Sequence, residues 1–224
     1  MAAKLLKIRY ICHVKTKKGI IEAPMGEKTV LLHTCCAPCS SAIIEAMMQN
    51  GITPVIYYCN PNIYPFEEYE IRKNECTRYA ESLGLEIVDD DYDHEGWLEA
   101  VKGLEDEPER GGRCLKCFKI RLLRTARYAQ SRGIKVITTT LASSRWKSLD
   151  QINEAGRWAC SQISGMPQGA VGSVRLGVDV SPVMFWEHNW RKGGLQERRL
   201  QIINEYGFYN QQYCGCEFSM RKDV

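Results

Sequence analysis

The chain has 224 residues, 44% hydrophobic and 25% charged, a composition that fits one globular domain with a sizeable core. No apolar run approaches the roughly 18 residues of a membrane span. The formal net charge is only +3, so an overall charge argument excludes little; the distribution of charge says more.

Residues 1–28 hold seven bases against two acids and read as a basic extension, with Pro24 and Gly26 before the first strand. The lysines and arginines scattered through its first part leave no uninterrupted h-region of a signal peptide, so a cytoplasmic location is expected. Residues 29–224 are expected to form a single α/β domain. "TVLLHT" (29–34) reads as a buried strand, followed by a helix over 40–49. "PVIYY" (54–58) is a second strand and "CNPNIYP" a turn. A helix over 67–83 stops at Gly84. "EIVD" (86–89) is strand-like. Leu115, Phe118, Leu122, Ala126 and Ala129 recur at three- and four-residue spacing, an apolar stripe on a basic helix that ends near Gly133. "KVITTT" (135–140) is a further strand, the Gly-rich stretch 164–182 a loop with a short strand, and 196–206 a last helix. Strands alternating with helices predict a mostly parallel sheet covered on both faces.

Residues 86–109 carry eleven acids against one base, Lys102, and residues 113–147 carry ten bases and no acid. One reading is a pair of solvated faces that partly neutralise each other. The basic block also flanks a cysteine pair and contains "SSRWK" (143–147), an aromatic between two cations. That mixture suits phosphate backbones with base stacking as a second contact, so a polyanionic partner is expected.

Eleven cysteines in a reducing compartment point to metal or redox chemistry rather than a disulfide framework. Cys12, Cys59, Cys76 and Cys160 stand alone and read as small packed residues. The other seven form three groups: Cys35/Cys36/Cys39, Cys114/Cys117 and Cys214/Cys216. Cys35 and Cys36 follow the first strand, and ligands of such sheets bind beyond the carboxyl ends of strands. Cys36-Ala-Pro-Cys39 has the spacing of a thioredoxin-type dithiol but leaves Cys35, Cys114 and Cys117 without a part. Two Cys-x-x-Cys knuckles could hold zinc, yet knuckles are ordinarily separated by roughly 15–20 residues, far fewer than lie between Cys39 and Cys114. An iron–sulfur cubane needs four thiolates, which two cysteine pairs could supply from opposite edges. Spacing leaves zinc and cluster both open.

The motifs "HTCCAPCS" (33–40), "NPNIYPFEEYEIRK" (60–73), "RCLKCFKIRL" (113–122), "TTTLASSRWK" (138–147), "RKGGLQERR" (191–199) and "YNQQYCGCEFS" (209–219) run in order along nearly the whole chain beyond the extension. As an ordered set they resemble the QueH family of epoxyqueuosine reductases. The resemblance implies a Rossmann-like fold akin to the adenine-nucleotide α-hydrolases. It implies a 4Fe–4S cluster on Cys35, Cys36, Cys114 and Cys117, and reduction of the epoxide of epoxyqueuosine in a tRNA anticodon loop to give queuosine. It also implies a redox-active disulfide between Cys214 and Cys216, for which Gly215 lets the backbone bend. An additional metal ion, iron, is expected beside the cluster, with Cys39 as its candidate ligand; packing in the first helical turn is the other reading of Cys39. Tyr64, Glu67 and Asp93, near strand ends, are the candidate proton donors, and an electron donor is implied but not identified. The competing functions are a thioredoxin-like thiol oxidoreductase and a non-catalytic zinc- and RNA-binding module.

Overall fold

A computed structural model describes residues 21–164 and 182–220. Most of the basic extension, Cys12 and residues 165–181 of the Gly-rich stretch therefore lie outside the described residues. Among the described residues, five strands form one sheet in the order β3–β2–β1–β4–β5. These are β1 Thr29–Thr34, β2 Thr53–Tyr58, β3 Ile87–Asp89, β4 Val136–Thr139 and β5 Met184–Phe185. All four pairings are parallel. The order reverses direction at β1, as in doubly wound α/β folds, so the carboxyl ends of β1 and β4 border the place where such sheets bind ligands.

The expected strands are present because their sequences suit a sheet buried on both faces. Val30 to Thr34 and all of β4 are inaccessible to solvent, which favours continuous apolar or β-branched runs over alternation. The helices cover the two faces. On one side α1 (Ala37–Gln49) packs against α2 (Phe66–Leu83) and α6 (Leu195–Tyr206). On the other, α4 (Gly112–Ser131) packs against α3 (His94–Val101) and α5 (Leu149–Ile163). Helix α1 begins three residues before the expected start, because Pro38 is tolerated in a first turn, where its missing N–H has no partner to lose. Gly84 closes α2 in the left-handed conformation, as its position predicted.

Two helices were not expected. Helix α3 lies in the acidic block, capped by the Asp93 carboxylate, which accepts from the Gly96 N–H. Helix α5 is capped by Ser148, which accepts from Gln151 N–H, and buries Ile152, Ala155, Ala159 and Ile163 on one face. A glycine at its middle, Gly156, weakens the sequence signal. The structure supplies the reason for it: a Cβ there would meet the Phe185 ring at 2.4 Å, so α5 rides directly on β5. No helix of the described residues is long and apolar enough to cross a membrane.

A buried ion pair fastens α6 to α1. Arg198 donates from Nε to Glu45 Oε2 at 2.7 Å and from Nη2 to Oε1 at 2.9 Å, with the two side chains only 6% and 2% exposed. Arg198 also pairs with Glu205 at 2.8 Å. Removing one member of such a pair leaves a buried charge unpaired, at a cost of about 3–5 kcal/mol. Arg198→Met is therefore expected to lower unfolding stability by about that much, measured by urea denaturation. A loss close to that of an exposed ion pair would show that Glu45 finds another partner.

Candidate active site

The first thiol group forms where β1 hands over to α1. Cys36 occupies the cap position in extended backbone, and Cys39 lies in the first turn of the helix. The sulfurs of Cys35, Cys36 and Cys39 all lie within 4.8 Å of one another, an arrangement able to hold a metal ion. The sulfurs of Cys35 and Cys36 are 3.8 Å apart. Hydrogen bonds from Cys36 and then Cys39, with Lys147 nearby, hold the Cys35 thiol well below its ordinary range. Burial pushes Cys36 well up. Its contact with Cys35 leads in pushing Cys39 up to about 12. Within the trio, negative charge is therefore favoured at Cys35 and disfavoured at Cys36 and Cys39. Metal binding would displace the thiol protons.

The strand ends are tied together beneath this trio. The Cys35 N–H and the Thr140 hydroxyl are 3.2 Å apart, and that hydroxyl lies 3.4 Å from the Cys35 sulfur. His33 is opposite Thr139 in the β1–β4 register. Its Nε2 lies 3.0 Å from the Cys59 carbonyl, which can only accept, so Nε2 carries the proton. Nδ1 then accepts from the Thr139 hydroxyl at 2.7 Å. Burial, helped by the nearby Arg121 charge, lowers the His33 pKa to about 3, so the ring is neutral and structural.

The second thiol group combines the start of α4 with the C-terminal segment. Cys114, Cys117, Cys214 and Cys216 line one pocket together with Asn62, Trp97 and Arg121. Cys214 and Cys216 stand as free thiols. Arg110 N–H donates to Cys114 at 3.3 Å. Burial pushes the thiols of Cys114 and Cys117 up, and Cys216 up to about 12. The segment that carries Cys214 and Cys216 is held by its backbone. Gly215 has φ +108°, and its carbonyl accepts from Tyr64 N–H at 2.9 Å. A Cβ at this position would lie 2.9 Å from Ile63 and 3.0 Å from Arg72, so only glycine fits. The buried Arg72, itself bonded to Glu68 at 2.7 Å, donates to the carbonyls of Cys214 and Tyr213 at 3.2 and 3.3 Å.

Two cations stand between the thiol groups. Lys147 Nζ lies 3.3 Å from the Cys214 sulfur. Burial opposes its charge, but Cys214, Cys35 and Cys39 outweigh that and raise its pKa well above the ordinary lysine value. Arg121 is buried, donates to Asn60 Oδ1 and to the Cys59 carbonyl at 3.2 Å, and approaches Cys117 at 4.0 Å. Burial again opposes the charge, and Cys117, Cys35 and Cys214 again sustain it. Sulfurs from both groups therefore act on the same two cations.

The three candidate proton donors lie elsewhere. Asp93 caps α3, Glu67 is exposed in the first turn of α2, and Tyr64 is exposed and stacked on His94 at 5.5 Å. None of them lines the thiol pocket.

The basic block is less free than its sequence implies. Arg124 pairs with Asp90 at 2.6 Å, Arg132 with Glu86 at 3.0 Å and Lys119 with Glu154 at 2.8 Å. Arg113 donates to the carbonyls of Leu104 and Glu105 at 3.0 and 2.6 Å. The acidic and basic blocks thus neutralise each other in part, which corrects the reading of the whole block as a phosphate-binding face. Lys116, Arg127 and Arg145 remain exposed. Sequence reasoning missed the inward direction of Lys147 and Arg121; their place immediately before α5 and in the apolar stripe of α4 was the available signal.

The chain is similar to known proteins over most of its length. The family model described as epoxyqueuosine reductase QueH matches residues 30–170 and 172–222. A protein of that name from Histophilus somni is 43% identical over 201 residues, 90% of this chain and 76% of the relative. Those from Haemophilus influenzae and Acinetobacter baylyi are 42% and 40% identical over the same length of alignment, covering 90% of this chain and 75% and 84% of the relatives. The match extends from the strand that delivers the first cysteine group past the segment that returns the last, and the chain belongs to the QueH family of epoxyqueuosine reductases.

Proposed function

We propose that this oxidoreductase removes the epoxide oxygen of epoxyqueuosine in a tRNA anticodon loop, leaving the alkene of queuosine. Both carbon–oxygen bonds break, a carbon–carbon double bond forms, and the oxygen leaves as water after taking two protons and two electrons. A 4Fe–4S cluster held by Cys35, Cys36, Cys114 and Cys117 would supply electron transfer in single steps, which side chains do not offer. The donor set fits such a group: four thiols from two elements, with the buried Arg121 and half-buried Lys147 cations beside them to offset thiolate charge. Cys39, within 4.8 Å of the sulfurs of Cys35 and Cys36, would be the ligand for an additional iron ion. The single observation that carries the reading is that sulfurs distant in sequence act on the same two cations at the carboxyl ends of β1 and β4.

The chain's own residues account for the rest of the chemistry. Oxidation of the Cys214 and Cys216 thiols to one disulfide releases two electrons and two protons, matching the demand of one epoxide. An electron donor returns the pair to its dithiol form. Cys216, with its pKa pushed up to about 12, keeps its proton until oxidation. The Lys147 ammonium, 3.3 Å from Cys214, is placed to meet negative charge developing on the departing oxygen. This gives Lys147, rather than Tyr64, Glu67 or Asp93, the task of proton donor. Exposed Lys116, Arg127 and Arg145 meet phosphates of the tRNA.

Anaerobically purified protein is expected to be brown, with broad visible absorbance that bleaches on reduction and about four iron and four sulfide per cluster. Colourless protein with stoichiometric zinc would instead favour a zinc- and RNA-binding module without redox chemistry.

A further inference from the structure

Trp146 is the most exposed large apolar side chain among the described residues, at 66%. Leaving so much of an indole in water is unfavourable, yet this one stands on a firmly built mount. Arg110 donates from Nε to the Trp146 carbonyl and from Nη2 to the Arg145 carbonyl, both at 3.0 Å. Arg110 adopts φ +69°, which non-glycine residues rarely do. Its own carbonyl accepts from Gln151 at 2.8 Å. On the other side, Arg191 donates to the Lys147 carbonyl at 2.8 Å. The backbone that presents the indole is thus fixed at both ends, while the ring itself stays largely exposed. The Arg145 guanidinium lies over it at 5.1 Å from the ring centroid.

The mount is joined to both halves of the second thiol group. Arg110 N–H reaches Cys114, and Lys147, the residue after Trp146, reaches Cys214, each at 3.3 Å. Adjacent residues therefore face opposite ways: an ammonium into the thiol site and an indole out to solvent at its edge. Exposed cations and an exposed ring at the edge of a redox site match the chemistry of a single-stranded nucleic acid, in which phosphates and an unstacked base must be held at once.

We propose that Trp146 is a stacking platform for a nucleobase of the RNA loop that flanks the nucleotide under reduction. Arg145 contributes charge to the same contact, and the clamp by Arg110 sets the platform's distance from Cys114 and Cys214. This inference rests on the tRNA reading above and adds to it the residue that orients the loop. A stacked base is worth about 1–3 kcal/mol, or about 5- to 150-fold in affinity.

The test measures binding of a synthetic anticodon stem-loop RNA with 2-aminopurine in its loop to wild type, Trp146→Ala, Trp146→Phe and Arg145→Gln. Wild type should quench the 2-aminopurine on binding. Trp146→Ala should bind about 5- to 150-fold more weakly and lose the quench, while Trp146→Phe retains most of both. The slope of log affinity against log salt should be unchanged in Trp146→Ala, because no phosphate contact is lost. In Arg145→Gln it should fall by about 0.7. Wild-type binding that Trp146→Ala matches in affinity and quench would overturn the platform and leave the tRNA reading standing. A changed salt slope in Trp146→Ala would overturn it too, by showing that the cationic loop had moved. Failure of wild type to bind the stem-loop at any salt would overturn both.

Discussion

Replacing Cys114 with alanine is expected to bring turnover to background and to strip most of the iron and sulfide from the protein. Cys114 sits in the first turn of α4, one turn before Cys117, and its sulfur lines the pocket that Cys214 and Cys216 also enter. An iron of a cubane that loses its only protein thiolate is left to water or a foreign ligand, and the cluster's affinity for the chain falls with it. The fold should survive, because the substitution removes one half-buried sulfur and leaves the stripe of Phe118, Leu122 and Ala126 in place. Circular dichroism would check this. Cys160→Ala serves as the control: Cys160 is buried on α5, away from both thiol groups, and its loss should leave iron content unchanged. Full iron, sulfide and activity in Cys114→Ala would remove Cys114 from the ligand set. The same assay on Cys35→Ala and Cys36→Ala separates the cluster ligands from Cys39, whose replacement should cost at most the additional iron.

Much of this site was legible because its parts lie at strand ends. The run "TVLLHT" reads as a buried strand, which puts the cysteines after it at a carboxyl edge, where a parallel sheet binds its ligands. The stripe from Leu115 to Ala129 likewise placed Cys114 and Cys117 at a helix start. Side-chain direction was not legible. Lys147 reads in sequence as one more cation of a basic block, yet its ammonium lies 3.3 Å from the sulfur of Cys214, which a distant segment brings to it. Arg124 and Arg132 read as phosphate contacts until the fold brings Asp90 and Glu86 beside them. Helix α5 was hidden because a glycine at its centre counts against a helix locally, and the Phe185 ring that requires it comes from β5. Each of these depends on a contact between remote parts of the chain, which local periodicity does not encode. The placement of Gly215 belongs with them: a glycine between two cysteines signals flexibility, whereas here it is a fixed left-handed residue wedged against Ile63 and Arg72.

The fixed Gly215 matters for the second large effect, expected in Cys214→Ser/Cys216→Ser: turnover falls to background with the protein's electron donor, while iron and sulfide stay at wild-type levels. The two thiols are held by backbone contacts rather than by each other. Arg72 grips the Cys214 and Tyr213 carbonyls, and Tyr64 N–H binds the Gly215 carbonyl, so serines should occupy the same places without disturbing the pocket. The two positions differ in kind. Cys214 is half-buried with its sulfur 3.3 Å from the Lys147 ammonium, whereas Cys216 is buried, and that burial pushes its thiol up to about 12. In thiol–disulfide exchange a reductant's thiolate attacks one sulfur of the disulfide, and the more exposed Cys214 is the one it can reach, with Cys216 as the inner partner that closes the ring on reoxidation. Serine has neither reactivity. Single variants should therefore fail as completely as the double one, since one remaining thiol cannot store two electrons. Alkylation and mass measurement before and after turnover should find both sulfurs protected in the oxidised wild type and both reactive after reduction. Unchanged turnover in the double variant, with its iron intact, would take the pair out of electron delivery. Lys147 would then have only the departing oxygen to serve, and the ligand assignment of Cys35, Cys36, Cys114 and Cys117 would be untouched.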